Sequence, residues 1–189
     1  MPEKLSSGEI LIAEYNYIAQ TVFQANEDRS RVASFYMITF GSFIAALITF
    51  RFDFAPEQQA WVDWGFAGLF LALALMGLLT VLQLARLRHA WFESLAAMDR
   101  IKEYYIAGSK GLEAAFAWRS TTVPQKFKVT SVGFMLVVQV AILGGAALGT
   151  AVFFVTLAAS GSGWLLPAFA LGIAFCLLQI DIYRSMLKS

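Results

Sequence analysis

The chain reads as an all-α protein, a four-transmembrane-helix bundle with amphipathic cytoplasmic helices, and three observations predict this. Of its 189 residues, 59% are hydrophobic and 14% charged. A soluble domain carries roughly a quarter charged residues, so the surplus apolar surface here calls for lipid. Four apolar stretches, at 32–50, 64–85, 131–159 and 164–183, match the ~20 residues that a bilayer core demands. Thirteen of the fourteen Lys and Arg residues fall on the side of both termini, eight of them within 86–128. Cytoplasmic loops collect such residues, so both ends of the chain are expected in the cytoplasm of a plasma (inner) membrane.

Segment 1–31 is predicted to be a cytoplasmic amphipathic helix. Leu11, Tyr15, Ile18, Val22 and Ala25 recur at alternating steps of four and three, while Glu9, Asn16, Gln20, Gln24, Glu27 and Arg31 gather on another stripe. Ser6 or Ser7 caps its start, with Glu9 or Ile10 in the first turn. The acids among these residues argue against a cleavable signal peptide. No Pro or Gly occurs between Glu9 and Phe40, so the helix is expected to run unbroken into the first span, 32–50.

Segment 32–85 is the first transmembrane hairpin. Its loop is rich in aromatic residues, Phe50, Phe52, Phe54, Trp61 and Trp64, of the kind that settle at the headgroup level, and it returns through the leucine-rich span 64–85. Leu87, Trp91, Met98, Ile101 and Tyr105 continue at helical steps, so this helix should extend to Gly108, where Gly108-Ser109-Lys110-Gly111 stops it. The rest of the basic cytoplasmic segment 86–129 is expected to hold a short helix over 112–119. Thr122 and Pro124 would then cap and open the next long helix. Segment 130–184 is the second hairpin: span 131–159, a turn at Ser160-Gly161-Ser162-Gly163, and span 164–183 with Pro167 in its first turn, where proline is tolerated. Residues 185–189 form a cytoplasmic tail.

Three anchors recur in order. Glu14-Tyr15-Asn16-Tyr17-Ile18-Ala19 is echoed by Glu103-Tyr104-Tyr105-Ile106-Ala107, and Arg31-Val32-Ala33-Ser34 by Lys128-Val129-Thr130-Ser131. Leu82-Gln83-Leu84 with Arg88 is echoed by Leu178-Gln179-Ile180 with Arg184. The pattern predicts two parallel helix-plus-hairpin repeats related by an axis along the membrane normal.

Few residues suggest chemistry. Ala141, Gly145 and Gly149 make a small-residue ladder on the third span, and Gly41 with Ala45 a lesser one on the first; helix packing within the chain and an oligomer interface are their two uses. Asp181 and Arg184 are expected to form an interfacial ion pair. Gln83 and Gln139 should hydrogen-bond between helices. His89, with Glu93 one turn on, is expected to be solvated or interfacial, since two ligands do not make a metal site. Asp53, Glu57 and Asp63 fit a solvated hairpin, and Cys176 a small hydrophobe in an apolar run. There is no Gly-rich phosphate loop, nucleophile elbow or paired-histidine helix, so no catalytic residue, cofactor or metal is expected. A net charge of +1 argues against nucleic acid as a partner.

The first fifty residues, with Glu14-Tyr15-Asn16-Tyr17-Ile18-Ala19-Gln20, Asn26-Glu27-Asp28-Arg29 and Phe35-Tyr36, resemble the openings of small uncharacterised bacterial multi-pass membrane proteins. In layout they are also similar to SLATT-type membrane modules, in which helices flank a two-span hairpin; that resemblance implies a pore-forming effector role. The residues themselves point to a non-enzymatic, oligomeric scaffold or partner subunit working through its cytoplasmic helices. Membrane lipid, further copies of itself and a cytoplasmic or membrane protein are its expected partners. The candidate partner-binding face comprises Leu11, Tyr15, Ile18, Val22, Trp91, Met98 and Tyr105. A channel-like oligomer gated by the same helices is the alternative.

Overall fold

The computed structural model describes residues 6–49, 55, 58–108, 116 and 125–188. Among them there are four helices and no strand: α1 (Ser7–Thr49), α2 (Gln59–Gly108), α3 (Val132–Ser160) and α4 (Leu165–Lys188). All four are long and apolar enough to cross a membrane. The expected loop residues Phe50, Phe52, Asp53, Phe54 and Glu57 lie outside the described residues, as do Thr122, Pro124 and nearly all of the helix expected over 112–119.

Each helix end has a local cause. At the start of α1 the Ser6 N–H donates to Glu9 Oε2 at 2.7 Å and the Ser6 hydroxyl to the same oxygen at 2.8 Å, while the Glu9 N–H donates back to Ser6 Oγ at 3.3 Å. This is a capping box, which satisfies donors that the first turn would otherwise leave bare. These two Ser6 donors, the backbone N–H above all, hold the Glu9 carboxyl below the ordinary glutamate range. A carboxyl whose pKa is lower folded than unfolded stabilises above its unfolded pKa and loses that contribution as pH falls through the folded value. The first turn of α1 should therefore fray as pH falls below the ordinary glutamate range. Amide protection factors over residues 10–14, which correct the exchange rate for its own pH dependence, should fall on acidification, and Glu9→Ala should abolish that fall.

Helix α2 ends at Gly108, as the glycine break predicts. Helix α3 starts later than Pro124 would place it, because residues 125–130 are not helical. Its N-cap is Ser131, whose Oγ accepts from the Phe134 N–H at 3.2 Å. It closes on Gly161, which adopts φ 69° and donates its N–H to Leu157 O at 2.9 Å. That left-handed conformation suits glycine and would strain a residue with a Cβ. Thr156 Oγ1 then accepts from the Trp164 N–H at 3.0 Å, tying the turn to the start of α4.

The helices pack antiparallel in order, with α2 and α3 as the central pair, α1 against one flank and α4 against the other. Side chains fix the register: Phe43 meets Phe70 edge-on at 5.4 Å, the Tyr36 hydroxyl donates to Leu73 O at 3.2 Å, and the Arg29 guanidinium lies 6.0 Å from the Trp91 ring. One core cluster joins Tyr36, Val81, Leu84, Val137, Val140 and Tyr183, and a second joins Phe70, Leu73, Ala74, Ala147 and Ala151. Between α3 and α4 the contact is made by glycine: a Cβ on Gly145 would lie 2.5 Å from Gly172 O, and one on Gly149 would lie 2.9 Å from Ala168 O. Where lipid removes the hydrophobic drive between helices, such close backbone approach is a main source of association.

At the level of Arg29 and Trp91, α3 has only begun, since Gly133 sits against the Arg29 side chain, and α4 is within two turns of its end. Beyond that level α1 and α2 continue together. We call this the basal end. With a rise of about 1.5 Å per residue, α1 is roughly 65 Å long and α2 roughly 75 Å. A bilayer core is ~30 Å thick, so both helices outrun it.

Candidate functional site

The densest gathering of polar chemistry lies at the basal end, where all four helices contribute. Arg88 on α2 is 9% exposed; its Nε donates to Lys126 O at 3.3 Å, and its guanidinium stacks 4.6 Å from the Trp91 ring and 4.7 Å from Phe92. Trp91 and Phe92 follow Arg88 by three and four residues, so helical spacing puts them beside it. Arg29 on α1 reaches the same indole, and its Nη2 donates to Asn26 Oδ1. Its Nη1 lies 3.0 Å from where a Cβ on Gly133 would stand, which places it against the first turn of α3, and Tyr183 of α4 closes the group. Arg29 Nε and Nη1 and Trp91 Nε1 are buried and have no hydrogen-bond partner.

Both arginines lie just outside the spans, and burial pushes the guanidinium pKa of each down; for Arg29 the neighbouring Arg88 adds to it. Guanidinium remains charged all the same. Among the described residues no carboxylate pairs with either: the ion pairs there are Arg31 with Glu27 and Asp28, and Lys102 with Asp99. Cation–π contacts of this kind contribute about 0.5–2 kcal/mol each. Withdrawing a charge from water costs several, so the aromatic faces offset only part of the cost.

The sequence did not single out Arg29, and it used Arg88 only as a repeat anchor. The readable signal was the spacing: one arginine three residues before span 32–50, another three residues after span 64–85, and an aromatic pair one turn beyond the second.

Other expected residues fall as follows. Ala141 is fully buried, and Gly145 and Gly149 face α4, so these three pack within the chain, whereas Gly41 and Ala45 lie on the exposed surface of α1. Gly145 and Gly149 also line an open groove of about 550 Å³ between α3 and α4, with Phe153, Phe169, Gly172 and Cys176. Arg184 turns over the Phe127 ring at 5.9 Å and makes no ion pair with Asp181, because the aromatic face lies within its reach. Gln83 and Gln139 are exposed, contrary to expectation; the amide that is buried is Gln179, set against Gly144.

The expected partner face is divided between the interior of the bundle and its surface. Ile18 is 7% exposed, and Leu11, Tyr15, Val22, Trp91 and Met98 are half-buried, because α1 and α2 turn these stripes inward; Tyr105 remains exposed. The apolar groups left outside are Ile10, Ile12, Tyr17, Phe23 and Tyr104. Asp63 is not solvated: it is 4% exposed and accepts from Gln59 Nε2 at 3.1 Å in the opening turn of α2. His89 is half-buried and bonds through Nε2 to Met186 O at 2.6 Å, so that nitrogen carries the proton and joins α2 to α4. Asp99, with Lys102 at 2.9 Å, is a buried ion pair that the sequence reading did not anticipate. No group of three or more metal-ligating side chains occurs among the described residues.

No protein-family model, curated protein or solved structure matches the chain.

Proposed function

We propose that this is a non-enzymatic subunit of a bacterial plasma membrane that acts as an oligomeric scaffold or partner subunit through helices extending beyond the bilayer. The observation that carries this reading is the unbroken continuation of α1 and α2 past the basal end of the bundle, with Ile10, Ile12, Tyr17, Phe23 and Tyr104 left exposed. Apolar groups on a helix pair in water mark a surface that a protein partner covers. The basic residues argue for a cytoplasmic location of this pair and of both termini. The amphipathic pattern of the N-terminal segment and the internal repeat belong to the same reading: each half would supply an extramembrane element and a hairpin.

Deletion of residues 6–27 tests it. The truncated protein should still insert but should lose its co-purifying partner or drop in oligomer mass, measured in detergent by light scattering. Unchanged mass and unchanged co-purification would remove the basis of the proposal.

A channel-like oligomer is the second reading. It draws on Gln83 and Gln139, which lie exposed on otherwise apolar stretches. Amides in such positions seek partners on a neighbouring helix or line a wet space between copies. Flux through liposomes that stays at background with purified protein counts against it.

A further inference from the structure

We propose that the cluster formed by Arg29, Arg88, Trp91 and the first turn of α3 binds a phosphate group at the membrane surface.

The polar groups there are mostly donors; Asn26 Oδ1 and Lys126 O take one N–H from each arginine, and the Tyr183 hydroxyl lies at the edge of the group. Arginine offers five N–H groups and no acceptor, and indole offers one N–H and no acceptor. Three of these nitrogens, Arg29 Nε and Nη1 and Trp91 Nε1, are buried with no acceptor opposite them. A buried donor left empty costs free energy, so three in one cluster call for a ligand that only accepts. Its charge is fixed by the same residues. Two guanidinium groups lie over one indole ring, at 4.6 and 6.0 Å, and no carboxylate among the described residues answers them. The start of the 29-residue helix α3 adds a third positive element, because Arg29 Nη1 lies against Gly133, the second residue of that helix. Arginine forks and a helix N-terminus converging from three helices suit a tetrahedral oxyanion.

Depth narrows the source. Arg29 precedes the apolar stretch 32–50 by three residues and Arg88 follows 64–85 by three, so the cluster lies at the headgroup layer. Either the phosphate of an anionic phospholipid or free inorganic phosphate reaches it there. The inference is independent of the partner reading above: it needs the bundle alone, and deletion of residues 6–27 leaves Arg29, Arg88 and Trp91 in the chain and removes only the Asn26 contact of Arg29.

The full chain in maltoside micelles, which carry no phosphate, is the starting material. Thermal unfolding is followed with added inorganic phosphate, with added phosphatidylglycerol, or with neither. Saturating ligand should raise Tm on the order of 5 °C. A rise with both additions assigns the cluster to free phosphate, and a rise with the lipid alone assigns it to a headgroup; both support the proposal. Arg29→Gln and Arg88→Gln should each lose most of the increment, whereas Arg31→Gln, an exposed arginine paired with Glu27 and Asp28, should keep it. Should the glutamine variants fail to fold, Trp91→Phe keeps the aromatic face and removes one donor, and Arg29→Lys keeps the charge and removes the fork. Each should at least halve the increment. Absence of a rise with either addition, or an undiminished rise in every one of these variants that folds, overturns the proposal.

Discussion

Gly145→Val should destabilise the bundle by about 3 kcal/mol, the upper range for overpacking a filled contact. A Cβ at this position would stand 2.5 Å from the Gly172 carbonyl oxygen and 3.0 Å from the Cys176 Cβ. The obstacle is backbone, so no rotamer change relieves it and α3 must move away from α4. The reciprocal substitution Gly172→Val should behave alike, since its Cβ would meet Gly145 O at 2.7 Å. Gly41→Val supplies the contrast: no atom lies within 4 Å of its Cβ, and stability of the single chain should be unchanged. Thermal unfolding of the three variants in one detergent checks the set. If Gly41→Val alone lowers oligomer mass, the exposed ladder on α1 is a contact between copies.

Gln179→Met should do the reverse and raise stability by about 1–2 kcal/mol, the cost commonly attached to a buried polar group without a partner. Gln179 is fully buried, and neither its Nε2 nor its Oε1 finds a hydrogen bond. Its side chain fills the space that a Cβ on Gly144 would enter, with Nε2 2.8 Å from that position. Methionine has similar length and no polar atom, so it keeps the contact and removes the orphaned amide. Unfolding midpoints in denaturing detergent measure the change. A fall in stability would mean that the amide holds a water in the bundle.

The helical frame was legible in the residues because span length, the absence of Pro and Gly between Glu9 and Phe40, and the glycine stop at Gly108 act over short range. All three emerge as α1 and α2. The serine start was legible too, since Ser6 and Glu9 are three residues apart. Neighbours across helices were not. The stripe Leu11, Tyr15, Ile18 and Val22 has the right periodicity for a face, but periodicity does not say what covers it, and in the fold it turns inward. Gln83, Gln139 and Gln179 look equivalent along the chain; only the packing of α4 against Gly144 makes the last one buried. Arg29 and Arg88 are 59 residues apart, and nothing local announces that both will approach one tryptophan ring.

The lengths of α1 and α2 have a mechanical consequence. Beyond residue 85, α2 continues without a break for 23 residues, to Gly108. At about 1.5 Å per residue this is a rod of roughly 35 Å, so a tilt of about 10° within the bilayer swings its tip by roughly 6 Å. Small rearrangements among the spans would thus be magnified at the far end of the rod, and a distant pull there would be felt by the spans with the same gearing.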